Sequence, residues 1–298
     1  MPADSLLTLL QDPAVRTVAG GAGLLGAVAG SAGAFAVVRR NGLQGDVVSH
    51  AALPGVAAAA LFGGDSPGWL IFGGAVAGWL SLLAVAAITR HTKTTVDSAL
   101  AIALATFFGM GLVLKSIVQR RNPGAETVGL DQYLFGQSAT MRSSDVAAIA
   151  LVGGVLLVVG LATWHRLKVV SFDAAFAGTL GIRSIWYDRL LTTAVVAAAV
   201  VGLQAVGVVL MSALLVAPAV AARCWSDRLG LVVGLSAAIG AASGVVGTLL
   251  TATTSHVPTG PVIVLVATAI VVASFAGRSL RRLISTPTRR IAPAGMSG

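Results

Sequence analysis

Asp46 and His50 stand four residues apart near the start of an apolar run, within Gly45-Asp-Val-Val-Ser-His-Ala-Ala-Leu-Pro-Gly55. On a helix that spacing puts both side chains on one face, about one turn apart. A carboxylate and an imidazole placed this way can ligate one divalent cation. Oxygen and nitrogen donors without sulfur suit Mn²⁺, Zn²⁺ or Fe²⁺ and argue against Cu(I). One Asp and one His make an incomplete ligand set, which two copies of the helix facing each other across a two-fold axis would complete. The spacing alone leaves other uses open. Asp46 would also serve as a helix cap with His50 at the headgroup level, and the pair would also serve as a proton relay in a secondary transporter. Pro54-Gly55 is expected to kink the helix and open a cavity beside the pair.

The pair is informative because ionisable groups are scarce in this chain. Of 298 residues, 56% are hydrophobic and 10% are charged, and mean hydropathy is +0.90. A soluble domain carries about 25% charged residues, so this chain cannot cover a globular surface with solvated groups. That excludes a soluble enzyme, a disordered chain, a disulfide scaffold and a nucleic-acid reader. The chain reads as an integral membrane protein. Its net charge of +9 sits mostly between apolar runs, where basic loops set membrane orientation. A lone Cys224 excludes an internal disulfide and a thiolate cluster. Residues 1–15 hold Asp4 and Asp12 and no basic residue, unlike a secretory signal, so the first apolar run is expected to stay in the membrane.

A spanning helix needs about 20 mainly apolar residues. Such segments lie at 15–38, 44–62, 67–89, 96–116, 145–164, 189–206, 207–223, 229–252 and 260–277. The uncharged run 190–222 is 33 residues long, roughly 50 Å as helix and too long for one crossing, so it is divided at Val206–Gly207. The expected fold is an all-α polytopic transmembrane helical bundle, one membrane domain over 1–298, with nine spans. Eight spans plus a re-entrant helix is the alternative, because 208–222 is short. With the N-terminus outside and the C-terminus inside, Arg39-Arg40, Arg90 to Lys93, His165 to Lys168, Arg223, Arg228 and the tail Arg278, Arg281, Arg282, Arg289, Arg290 are all cytoplasmic. Only 115–145 violates the rule, through Lys115, Arg120, Arg121 and Arg142. That segment holds a turn signal at Arg120–Gly124 and a second piece, Asp131–Gly136, with Tyr133 and Phe135 as interface anchors. The 36 glycines include Gly20-Gly-Ala-Gly-Leu-Leu-Gly26, a pattern that lets membrane helices pack closely.

Other polar residues are weaker signals. Gln204, Ser212 and Thr251 are expected to hydrogen-bond between helices, Asp97 to cap the fourth helix, Cys224 to pack as a small apolar residue, and His256 to lie in a solvated outside loop. No His-Glu-x-x-His run, Walker loop or nucleophile elbow occurs, so the chain is not read as an enzyme. After the fifth span, Phe172, Ala175, Phe176 and Leu180 follow helical spacing and Gly181 ends the pattern. A short amphipathic helix there would lie on the membrane or dock into a partner. Without a nucleotide motif, an active transporter would need its motor on another polypeptide.

Taken together, these residues resemble the metal-ion permease family of ABC transporters. Gly45 to Gly55 resembles the family's Gly-Asp-x-x-Ser-His-Ala-x-x-Pro-Gly signature. Asp97 to Ile102, Leu130 to Gly136 and Val206 to Pro218 resemble its fourth-helix start, its outside Phe-Gly segment and the helix before its last two spans. The resemblance covers about residues 15–280. It implies a permease of an ABC importer for Mn²⁺, Zn²⁺ or Fe²⁺ in a bacterial plasma membrane. It further implies a second permease copy, two cytoplasmic ATPase subunits that bind ATP, and an extracytoplasmic metal-binding protein. The metal would be cargo, with no cofactor bound by this chain. By the same carry-over, Asp46 and His50 become path ligands, and 171–182 becomes the coupling helix, with Phe172, Asp173, Ala174, Ala175, Phe176, Leu180 and Gly181 meeting the ATPase. The loop 254–260 lacks the Tyr and Asp that family members often place there, so no ligand is carried to it. A related permease for a metal chelate, which needs no intramembrane ligands, is the nearest rival; a proton-coupled secondary transporter is the other.

Overall fold

The computed structural model describes residues 12–62, 66–121, 141–253 and 257–285. Among these residues the regular elements are helices: α1 (Pro13–Val38), α2 (Gln44–Leu61), α3 (Pro67–His91), α4 (Val96–Arg121), α5 (Ser143–Ala162), α6 (Trp164–Phe172), α7 (Ala174–Thr179), α8 (Ser184–Val206), α9 (Val208–Arg223), α10 (Leu229–Ala252) and α11 (Thr259–Ser285). Long uncharged runs favour this outcome, because only a helix satisfies its own backbone polar groups within hydrocarbon. Asp12 caps α1 by accepting from the Ala14 N–H, with Pro13 in the first turn.

Each of the nine expected spans falls on one helix, and seven helices are long and apolar enough to cross a membrane by length and composition. The two outside that set are instructive. α2 has the length, 18 residues, but its first two turns carry Gln44, Asp46 and His50. α9 has 16 residues, roughly 24 Å of helix against about 30 Å of hydrocarbon. The division at Gly207 is as expected: φ is 81° and ψ is 171° there, and one helix ends at Val206 while the next begins at Val208. α9 folds back along α8, since a Cβ on Gly202 would meet the Met211 side chain, and Leu203 shares a cluster with Val208.

The segment 171–182 differs from the single helix expected. The chain breaks at Asp173 (φ −148°, ψ 97°), whose carboxylate accepts from the Phe176 N–H at 2.9 Å and so starts a new helix. Phe172 therefore closes α6, and α7 has only six residues. Gly181, at φ 72°, ends it, with the Ile182 N–H donating to the Ala177 carbonyl at 3.0 Å. Two further expectations are corrected. Thr95, not Asp97, caps α4, through its Oγ1 and the Ser98 N–H, and Asp97 lies inside the first turn. Ser212 and Thr251 bond to carbonyls of their own helices, Val209 for the first, Gly247 and Thr248 for the second, because a hydroxyl on a helix reaches the i−3 and i−4 carbonyls. Cys224 is half-buried at the end of α9. The 130–136 segment with Tyr133 and Phe135, His256, the tail arginines Arg289 and Arg290, and the Gln204 side chain lie outside the described residues.

The glycine pattern of α1 brings backbones together. A Cβ on Gly26 would run into the Gly240 carbonyl oxygen of α10, and a Cβ on Gly240 into that of Gly26. Gly30 meets Ser236 and Gly244 meets Ala22 in the same way. Gly240→Val is thus expected to push α1 from α10 and destabilise the fold by about 1–3 kcal/mol or more. Thermal unfolding in detergent reads this, with Gly20→Val as the control, since a Cβ there meets nothing within 4 Å.

One end of the bundle gathers the turns that the basic residues assign to one side of the membrane. Phe35, Leu167, Leu191 and Leu229 share a buried cluster, and Phe35 meets Trp164 edge-on at 6.2 Å. Arg39 pairs with Asp188, Arg166 donates to the Tyr187 hydroxyl at 3.0 Å, and Arg281 lies 4.6 Å from the Trp225 ring centre.

Candidate functional site

The site is built on the turn that precedes α2. α1 ends with the Arg40 N–H donating to Val37 and the Asn41 N–H to Ala36 at 2.8 Å, which requires Arg40 to adopt φ 61°. A non-glycine residue in that region is uncommon and costs about 1–2 kcal/mol. α2 then starts at Gln44, preceded by Leu43 without a side-chain cap. Asp46 is thus the third helical residue and not the cap. Its carboxylate lies where unpaired N–H groups of the first turn favour negative charge.

Asp46 and His50 do share a face. Oδ1 of Asp46 lies 3.3 Å from Nε2 of His50, with the side chains 35% and 24% exposed. Their neighbours Val47, Val48, Ser49, Ala51 and Ala52 are buried, so the acid–imidazole face is the side of this turn left open. Ser49 donates to the Gly45 carbonyl at 2.8 Å and spends its hydroxyl on its own helix. The imidazole is packed edge-on against Phe108 of α4, ring centres 4.9 Å apart and planes at 78°. Its Nδ1 is buried and has no hydrogen-bond partner among the described residues, where the ring is oriented by the aromatic contact and by Asp46. One turn further on, Pro54 has no N–H to give to the His50 carbonyl.

Among the described residues no third His, Cys, Asp or Glu joins these two. A single copy offers a carboxylate and an imidazole, a hard-to-borderline donor pair suited to a divalent cation held weakly. The residues of the second expected site lie on other elements. Phe172, Phe176 and Leu180 are more than half exposed, Asp173, Ala175 and Gly181 are exposed, and Ala177 is fully buried and anchors α7 from below. Ala174 opens α7. Sequence reasoning missed Phe108, an apolar residue in an apolar helix, and the pairing of Arg39 with Asp188, which lie 149 positions apart.

Comparison with known proteins matches this geometry to a lineage. The model of the ABC 3 transport family matches residues 11–278. The manganese transport system membrane protein MntC of Bacillus subtilis is 39% identical over 266 residues, covering 89% of this chain and 61% of that protein. The chain therefore spans somewhat under two thirds of that relative's length. The zinc transport system membrane protein TroC of Treponema pallidum is 41% identical over 271 residues, covering 91% of each. Among solved structures, PsaBC from Streptococcus pneumoniae in complex with Fab superposes with a TM-score of 0.81 at 27% identity, covering 95% of this chain and 100% of that one.

Proposed function

Because this chain belongs to the ABC 3 transport family, we propose that it is the membrane permease subunit of an ATP-driven importer of a divalent transition-metal cation, Mn²⁺ or Zn²⁺, with Fe²⁺ as a further candidate. The observation that carries this reading is the Asp46–His50 pair, 3.3 Å apart on the open face of an otherwise buried helix, in a chain similar to proteins named for manganese and zinc transport. An intramembrane acid is costly and is retained where it binds or moves an ion.

In this mechanism two permease copies bring their α2 helices together, so two carboxylates and two imidazoles surround one cation. An extracytoplasmic metal-binding protein delivers the ion to the outward-open dimer. The pair holds it briefly. ATPase subunits, separate chains, close and reopen against α7, with Phe172, Phe176 and Leu180 as apolar contacts. This chain performs no hydrolysis itself. Nine crossings place the N-terminus outside and the Arg-bearing turns on the cytoplasmic side of a bacterial inner membrane, as one domain, whereas eight with α9 re-entrant would leave Arg223, Arg228 and the C-terminal arginines outside.

The test is reconstitution of the permease with its ATPase partner in proteoliposomes. Uptake of radiolabelled Mn²⁺ or Zn²⁺ that requires ATP is the expected result. Uptake driven by a proton gradient without the ATPase, or uptake of the metal only as a chelate, overturns the reading.

A further inference from the structure

From the geometry around α8 we infer that Tyr187 and Asp188 form a joint that ties the ATPase-facing segment to the metal-bearing helix, with Arg39 and Asp188 as positioning residues for the site. The inference rests on the importer reading above for its consequence, and on the structure alone for the link.

α7 is separated from α8 by only Leu180–Arg183, so a displacement of α7 reaches the first turn of α8 directly. Two consecutive residues where the first turn of α8 passes into the second make ties to different elements. Tyr187 accepts a hydrogen bond from Arg166 of α6 at 3.0 Å, which closes α6, α7 and α8 into one frame around the exposed Phe172, Phe176 and Leu180. Asp188 accepts from Nη2 of Arg39. Arg39 is the C-cap of α1, and the next residue, Arg40, holds φ 61° to make the turn into α2. Asp46 follows seven residues after Arg39. A turn deeper, Phe35 and Leu191 lie in one apolar cluster, so α1 and α8 already pack there. At the level of the turn the packing gives way to a cavity of about 230 Å³, lined by Arg39, Asn41, Gln44, Thr89, Asp188 and other residues. Across that space the Arg39–Asp188 ion pair is a polar tie between α8 and the turn, beside the apolar packing of Val195 and Val196 with Val47 and Val48. Arg39 is the more buried partner, its side chain 21% exposed, and it presents a bidentate-capable fork that an amide cannot replace. Movement of α7 against an ATPase thus pulls on the strained turn from which Asp46 emerges.

Two measurements test the link. Amide hydrogen exchange across 40–47 in the purified permease is expected to rise about fivefold in Asp188→Asn and in Arg39→Gln, and to return toward wild type in the reversed pair Arg39→Glu with Asp188→Arg. In the reconstituted complex each single variant is expected to lose about tenfold in metal moved per ATP hydrolysed, with hydrolysis within about twofold of wild type, and the reversed pair to regain at least half. A merely structural role would lower uptake and hydrolysis together and leave their ratio unchanged. Unchanged exchange in the turn, an unchanged ratio, or a reversed pair worse than either single variant overturns the inference. If the wild-type complex itself moves no metal with ATP, the importer reading fails, while the exchange measurement still decides whether the joint exists.

Discussion

Asp46→Ala combined with His50→Ala is expected to reduce ATP-dependent uptake of Mn²⁺ or Zn²⁺ at least about 100-fold, with the complex still assembled. Loss of a single outer partner of a metal ligand commonly costs 10–100-fold, and here both copies of a dimer lose both side-chain donors at once. Neither residue anchors the fold. Both side chains are partly exposed on the open face of α2, while the buried Val47, Val48, Ala51 and Ala52 hold that helix in place. The melting temperature in detergent should therefore move little while transport disappears. Radiolabelled uptake in vesicles, read beside thermal unfolding, separates these effects. Normal uptake by the double variant would show that the pair does not line the path, and it is the behaviour a chelate carrier would give.

Gly207→Ala is expected to destabilise the fold more than the same change at Gly181, the other glycine of positive φ among the described residues. At φ 81° and ψ 171° the residue occupies a region open essentially to glycine alone, and a side chain there costs about 1–3 kcal/mol. The position is buried at the tight link between α8 and α9, so the strain cannot be relieved by moving an exposed loop. Gly181→Ala is the comparison. It also has positive φ, 72°, but nothing lies within 4 Å of its Cβ position, and its φ/ψ requirement is the milder left-handed one, about 1–2 kcal/mol for a non-glycine residue. A larger fall in melting temperature for Gly207→Ala than for Gly181→Ala is the result to find; equal falls would mean that the α8–α9 link is free to relax.

These residues also divide what was readable in advance from what was not. The helices, their approximate bounds and the membrane as solvent follow from runs of uncharged residues, because a backbone in hydrocarbon has no partner but itself. The Asp46–His50 pair was legible for the same reason: four residues on a helix is a fixed geometry, and the ionised groups stand out against an apolar background. The Gly207 break was legible as an over-long run that had to turn. Asp173 is local too, yet the helical spacing of Phe172, Ala175, Phe176 and Leu180 runs across it, whereas its carboxylate caps a new helix and leaves Phe172 on the previous one. Thr251 and Ser212 were expected to reach across to neighbours, but each found an acceptor one turn back on its own helix.

Contacts distant in sequence were beyond reach, since nothing in a uniformly apolar run says which helix lies beside it. Phe108 against His50, Gly26 against Gly240, and Arg39 against Asp188 each join helices that only packing brings together. Local chemistry thus set the elements, the solvent they live in and the acid–imidazole pair that lies one turn apart. Three-dimensional packing chose which face of α2 stays open, what orients its imidazole, and that Arg39 at the end of α1 meets Asp188 of α8. The physical reason is range: helix geometry and hydration act over a turn, while shape complementarity between helices is a property of pairs of segments that neither segment displays by itself.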